Sequence, residues 1–310
     1  MTLTSLGRLL LLAALWGGSF LFMRIAAPVL GAVPTAFSRV LLGAMGLVCL
    51  ARLFRVPIRF DGKLAVTMVL GAINSGAPFL LFSIAASTLP AGYSAILNAT
   101  TPLMGVLIGF MAFGERLTTA KVAGVLVGLV GVAVLTRAGP VSSSPAAWLS
   151  IAACLLATAC YGLAGFLTKR WVAQQGGLDS RIVALGSQFG AVLMLLPFAV
   201  WEGVSQPIEW TQVSAAVWFS ILTLGLLCTS LAYVLYFRLI ADLGPLKALS
   251  VTFLIPLFGV LWGGIFLGES VTFAHGGGAG LIGIALWLVL RTPAAADTPS
   301  SGAAAIKRSA

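Results

Sequence analysis

Charge is what this chain has least of. Only 8% of its 310 residues are Asp, Glu, Lys or Arg, against about 25% in soluble domains, and that deficit excludes a water-facing globular surface. Carboxylates are scarcer still, 8 against 18 basic residues. The single histidine, His275, excludes a histidine-rich zinc site and an H-E-x-x-H protease helix. Cys49, Cys154, Cys160 and Cys228 show no C-x-x-C spacing and read as small buried hydrophobes. There is no G-x-S-x-G elbow and no phosphate-binding loop. With no distinguishing serine beside the one histidine, the expectation is no enzyme, no metal and no cofactor.

What fills the chain is apolar, 60% of all residues. Runs of roughly 20 residues, long enough for about 30 Å of hydrocarbon, occur at 6–27, 33–52, 63–85, 91–113, 119–137, 147–168, 182–201, 212–237, 246–267 and 271–291. The pattern predicts an all-α integral membrane protein with ten transmembrane helices. The third run is the least regular, because Asn74, Gly76 and Pro78 interrupt it. Arg8 before the first run resembles a secretory signal, but the length of that run argues for a retained span.

A net charge of +10 points to nucleic acid in a soluble protein; here it reads as topology, with no nucleic acid. Fifteen of the 18 basic residues fall before the first span, in alternate connections or after the tenth span, among them Arg52, Arg55, Arg59, Lys63, Lys169, Arg170 and Lys247. Arg24 and Arg137 lie on the other side, and Arg39 lies within a span. By the positive-inside rule both termini are cytoplasmic. Glu202, Glu209 and Glu269 fall on the opposite side, and Trp148, Trp201 and Trp210 near span ends form an aromatic belt.

The chain also repeats itself. Pro102, Gly105, Gly109, Gly114-Glu115, Thr118 and Gly124 recur as Pro256, Gly259, Gly263, Gly268-Glu269, Thr272 and Gly278, each displaced by 154 residues. A weaker echo pairs Trp16-Gly17 and Arg24 with Tyr161-Gly162 and Lys169. Five spans per copy is an odd number, so the second copy enters with opposite orientation and the two five-helix repeats are inverted, a common plan of secondary transporters. The organisation expected is a first repeat over 1–137, a connecting segment over 138–146, a second repeat over 147–291 and a disordered cytoplasmic tail over 292–310.

These paired motifs, with the Gly-rich runs after Lys121 and Gly276, Trp16-Gly17-Gly18-Ser19-Phe20 and Arg39, resemble the EamA family of the drug/metabolite transporter superfamily. The resemblance covers nearly the whole chain. It implies a ten-helix bundle, a central cavity lined by spans one to four and six to nine, and peripheral fifth and tenth spans. It further implies a bacterial inner-membrane protein that moves amino acids and other small metabolites, frequently outward. The expected function is an exporter or facilitator working by alternating access, the rival being a membrane-embedded binding or receptor subunit without transport. A small-molecule substrate and the lipid bilayer are the expected partners, and a homodimer is compatible with the chain.

Individual residues sharpen the expectation. A proline at Pro102, about 16 Å into its span, frees the Asn98 carbonyl, and Pro256 does the same to Thr252; both are candidates for shaping or gating the cavity. Asn98 and Thr101 are then candidate cavity donors and acceptors. Arg39, about 9 Å into the second span, either snorkels or faces the cavity and attracts a substrate carboxylate. Trp16, Tyr93, Tyr161, Tyr233 and Tyr236 offer apolar faces with polar tips, suited to metabolites or to packing. The amides of Asn74 and Gln188 bond either a neighbouring helix or the solute. Glu115 and Glu269 sit at span ends, where a carboxylate complements a helix N-terminus.

Overall fold

The computed structural model describes residues 2–138, 144–243, 248 and 251–291. Among them the chain is helical, with no strand. Seven helical segments are long and apolar enough to cross a membrane. They are α1 (Leu3–Leu30), α2 (Ala32–Leu53), α3 (Leu64–Ala86), α4 (Ala91–Phe113), α6 (Pro145–Trp171), α7 (Ser180–Ser205) and α8 (Ala215–Leu243). Three shorter apolar helices accompany them: α5 (Thr119–Ala138), α9 (Val251–Leu267) and α10 (Phe273–Arg291). The result is a multi-pass helical membrane protein. Leu126, Leu193, Phe198, Trp201 and Leu257 stand exposed on its outer faces, where hydrocarbon rather than water is the solvent. Lys247, most of the connecting segment and the tail from residue 292 lie outside the described residues.

Local sequence accounts for the breaks. Gly31 alone separates α1 from α2, at φ 91°, a region that glycine enters without penalty. Gly114 and Gly268 end α4 and α9 at φ 68° and 64°. Beyond each, the Glu115 and Glu269 N–H groups donate six residues back to the Gly109 and Gly263 carbonyls at 2.9 and 3.1 Å, so the left-handed glycine folds the chain back onto a carbonyl the helix end would otherwise leave unpaired. Within α3 the irregular stretch does not end the helix. Pro78 offers no N–H to the Asn74 carbonyl, and the chain takes a single π-turn over Ala72–Gly76 before continuing. A second π-turn, Thr223–Leu231, runs through α8. There the Thr229 and Ser230 hydroxyls donate to the Leu224 and Gly225 carbonyls, five residues back, at 2.9 and 3.1 Å.

Packing crosses between the two halves of the chain. Helix α1 lies on α8 and α9, α6 on α3 and α4, α2 on α7 and α8, and α7 on α2 and α3; α4 meets α9, and α5 meets α10. Exchanging each helix with the one five places on leaves these pairings unchanged, while α4 also packs on α10 with no comparable contact of α9 on α5 among the described residues. Small residues set the closest approaches, as is usual between helices in lipid. A Cβ on Gly225 of α8 would run into Leu42 of α2, and one on Gly71 of α3 would run into the Ser187 backbone of α7. The largest core cluster surrounds α4, where Tyr93, Ile96 and Leu97 are sealed between neighbours that include Phe20, Leu103, Cys154, Ala157 and Ile255.

Candidate functional site

A cavity of about 260 Å³ opens where the irregular helices converge. That is just below the about 300–1,000 Å³ usual for ligand clefts, a size for a metabolite rather than a large drug. Its wall comes from α1, α2, α3, α4, α6, α8 and α9, with no lining residue from α5, α7 or α10 among those described.

Each element delivers its side chains for a local reason. In α1, Trp16, Ser19, Phe20 and Met23 fall on one helical face. In α3 and α4 the lining amides, Asn74 and Asn98, each stand four residues before a proline, Pro78 and Pro102, so the helix is disturbed where the polar side chain faces the cavity. At Pro102 the α-helical pattern is interrupted. It stops at Asn98 and resumes at Thr101; between them the Ala99 and Thr100 N–H groups donate only three residues back, to the Ile96 and Leu97 carbonyls, each at 3.0 Å, and the freed Asn98 carbonyl accepts the Thr101 hydroxyl at 2.7 Å. The π-turn of α8 presents Cys228 and Thr229, and its continuation presents Tyr233 and Tyr236.

Arg39 is the one cation among the described lining residues, and it is only 5% exposed. It points inward rather than snorkelling. Its Nε donates to Thr229 Oγ1 at 3.2 Å, its Nη1 approaches Met23 Sδ at 3.6 Å, and its guanidinium carbon lies 3.7 Å from the Phe79 ring centroid. Thr229 reaches it because α2 and α8 pack tightly through Gly43, whose carbonyl accepts the Ser230 hydroxyl at 3.0 Å. A Cβ on Gly43 would press Thr229 Cγ2 at 2.7 Å. Aromatic rings form another part of the wall: Trp16 meets Tyr236 at 5.3 Å between centroids, and Phe82 meets Phe20 at 5.3 Å and Tyr161 at 6.3 Å.

The structure therefore gathers Trp16, Arg39, Asn74, Asn98, Thr101, Pro102, Tyr161, Tyr233, Tyr236 and Thr252 around one space. It places three other sequence candidates elsewhere. Tyr93 is sealed in the core around α4. Gln188, on α7, lies behind the wall and donates to Ser75 Oγ at 3.1 Å, so its amide joins α7 to α3. Pro256 sits within a continuous α9 and faces a separate apolar groove with Phe253, Val260 and His275. Among the cysteines, Cys154 and Cys228 are buried but Cys49 is exposed on an apolar outer groove. Sequence reasoning passed over Ser19, Phe20, Met23, Phe79, Phe82 and Thr229. The first three lie on the helical face that Trp16 already marks, and Thr229-Ser230 is a hydroxyl pair inside an apolar run.

The span-end charges serve helix termini. Glu269 accepts the Ala91 and Gly92 N–H groups at the start of α4, at 2.7 and 3.2 Å, whereas Glu115 pairs with Lys121 at 3.4 Å. Arg24 donates to the Ala86 and Ser87 carbonyls that close α3, at 2.8 and 2.9 Å. Outside the membrane segments, Asp179 starts α7, and the hydrogen bonds from Arg181 hold its carboxyl below the usual range.

Known proteins share this architecture. A solved crystal structure of a protein superposes with TM-score 0.61 at 19% identity, covering 93% of this chain and 96% of the other. A "Probable terminal-alkyne amino-acid exporter" of Streptantibioticus cattleyicolor is 26% identical over 281 residues, covering 90% of this chain and 91% of that one. The "Uncharacterized transporter YvbV" of Bacillus subtilis is 28% identical over 281 residues, covering 90% and 88%. A "Probable amino-acid metabolite efflux pump" of Salmonella typhimurium is 22% identical over 289 residues, covering 90% and 92%. These names denote transporters rather than enzymes. The profile of the EamA-like transporter family matches residues 6–137 and again 148–291, and with both halves of its helical framework matched, this chain belongs to that family of membrane transporters.

Proposed function

We propose that the protein moves small organic metabolites such as amino acids across a bacterial inner membrane, as an exporter or facilitator, by alternating access of the cavity between two inverted five-helix repeats. The observation that supports this reading is the largely exchange-symmetric packing of the two halves around a cavity whose wall both halves build. Rocking one repeat against the other around a site between them is the motion such a plan favours. The repeats are assigned to 1–137 and 147–291, with ten spans and both termini in the cytoplasm. Two relatives named for amino-acid export or efflux support the solute class.

The test is reconstitution of the full chain in proteoliposomes with flux of labelled amino acids and related metabolites measured down an imposed gradient. It is chosen after a growth-protection screen in bacteria challenged with toxic amino-acid analogues, amines and nucleosides. Saturable flux supports the proposal. Saturable binding with no flux for any solute that gives protection replaces it with a binding subunit.

A further inference from the structure

Among the described residues, the cation in the cavity has no counter-charge. Every Asp and Glu of the described chain lies at a helix end or in a connection, and none lines the cavity. Asp242, Asp179 and Glu115 are already paired with Arg8, Arg181 and Lys121, and Glu269 is committed to the start of α4. Among the described residues Arg39 meets a hydroxyl, a thioether and an aromatic face. A ring face offsets part of the cost of withdrawing a cation from water, but it supplies no acceptor for the N–H groups. A guanidinium carries five, and the contacts to Thr229 and Met23 engage one at Nε and one at Nη1.

The orientation is as informative as the charge. Thr229 holds the Nε corner and Phe79 lies against the planar face, so the group is fixed while its outer N–H groups are uncommitted within the described protein. Two parallel N–H donors in a fixed plane match the two oxygens of a carboxylate. The aromatic wall of Trp16, Phe20, Phe82 and Tyr236 then suits an apolar body, and the small volume limits that body to about one ring.

We infer that the cavity's ligand carries a carboxylate which docks on the outer edge of the Arg39 guanidinium, and that this contact makes the site select carboxylates over the matching amides and amines. The inference rests on reading this cavity as the solute site. A neutral amide leaves the guanidinium without its counter-charge, and an ammonium is repelled by it. The side-chain amides of Asn74 and Asn98 have no hydrogen-bond partner among the described residues, and they remain to accept from an α-ammonium or hydroxyl elsewhere on the same ligand.

The experiment follows thermal unfolding of the purified full chain during titration with four probes of one shape: 3-phenylpropionate, L-phenylalanine, 3-phenylpropionamide and phenethylamine. A ligand that binds only the folded protein raises the unfolding midpoint in proportion to its affinity. The two carboxylates are expected to act at concentrations at least tenfold below the amide and the amine. Arg39→Met is expected to abolish that preference, and Arg39→Lys, a charge without the planar fork, to keep part of it. Equal response to all four probes, or response to none, overturns the inference. So does a preference that survives in Arg39→Met. Sodium chloride at matched ionic strength is a further arm, and protection by chloride equal to that by the carboxylates overturns the organic ligand in favour of an inorganic anion. If Arg39→Met does not fold, the wild-type ranking decides alone. Counterflow in proteoliposomes separates the two readings: carboxylate-selective binding without flux keeps this inference and removes transport, while equal flux of amine and carboxylate keeps transport and removes this inference.

Discussion

Glu269 Oε1 accepts the Ala91 N–H at 2.7 Å, joining the end of α9 to the start of α4 across 178 residues of chain. The carboxylate fits there because Gly263 has no Cβ; a methyl at that position would run into Glu269 Oε2. It satisfies two of the orphan amides at a helix N-terminus and complements the dipole. Glu269→Gln and Gly263→Ala are each expected to destabilise the protein by about 1 kcal/mol, the usual worth of a cap. Because both act through one contact, the double variant should lose less than the sum. Unfolding of the four proteins in detergent checks this, and strict additivity would show that Gly263 serves helix packing instead.

Arg39→Ala should insert normally yet lose at least about tenfold in transport, the effect of removing roughly 1.4 kcal/mol of binding. Gly225→Ala tests the support beneath it. Its Cβ would push Leu42 and α2 away from α8, an overpacking change that costs about 1–3 kcal/mol and should lower transport although Gly225 lines no part of the cavity. Wild-type flux in both variants would place the solute away from α2 and α8.

The two matched prolines occupy unlike settings, Pro102 just after an interruption of the α-helical pattern and Pro256 inside a continuous helix. Pro102→Ala restores an N–H for the Asn98 carbonyl and should allow the helix to close across residues 99 and 100. Pro256→Ala should leave the course of α9 unchanged. Cysteine-accessibility labelling from the two sides of the membrane is expected to shift in the first variant and much less in the second. Identical labelling would reduce both prolines to tolerated irregularities.

Energy coupling follows from the carboxylates that the cavity lacks. Proton-driven carriers generally hold an Asp or Glu within the membrane, and none lines this cavity among the described residues. Solute flux should therefore run down its own gradient without obligatory proton movement. A pH-sensitive dye enclosed in proteoliposomes measures this directly. Stoichiometric acidification or alkalinisation that accompanies solute, and that disappears in Glu269→Gln, would assign the proton to Glu269.

Topology is checked by reporters fused after Arg291. With ten spans and a cytoplasmic N-terminus, only the cytoplasmic form of the reporter should be active, and periplasmic activity would break the inverted-repeat assignment.

Hydropathy and a recurring motif were enough to make a helical membrane protein of this family legible in the residues alone. Whether a segment prefers hydrocarbon depends on its own composition, and the Gly-Glu helix ends are local geometry repeated in both halves. Even the cavity amides left a local trace, since Asn74 and Asn98 each precede a proline by four residues. Which polar side chains share a space depends instead on how the helices pack. Asn74 and Gln188 are both amides in apolar runs, yet one lines the cavity and the other bonds Ser75 behind it. Hydropathy does not set the rotation of a helix about its own axis; packing against its neighbours does. Here the close contacts of Gly43, Gly71 and Gly225 turn α2, α3 and α8 so that Arg39, Asn74 and Thr229 face one another's cavity.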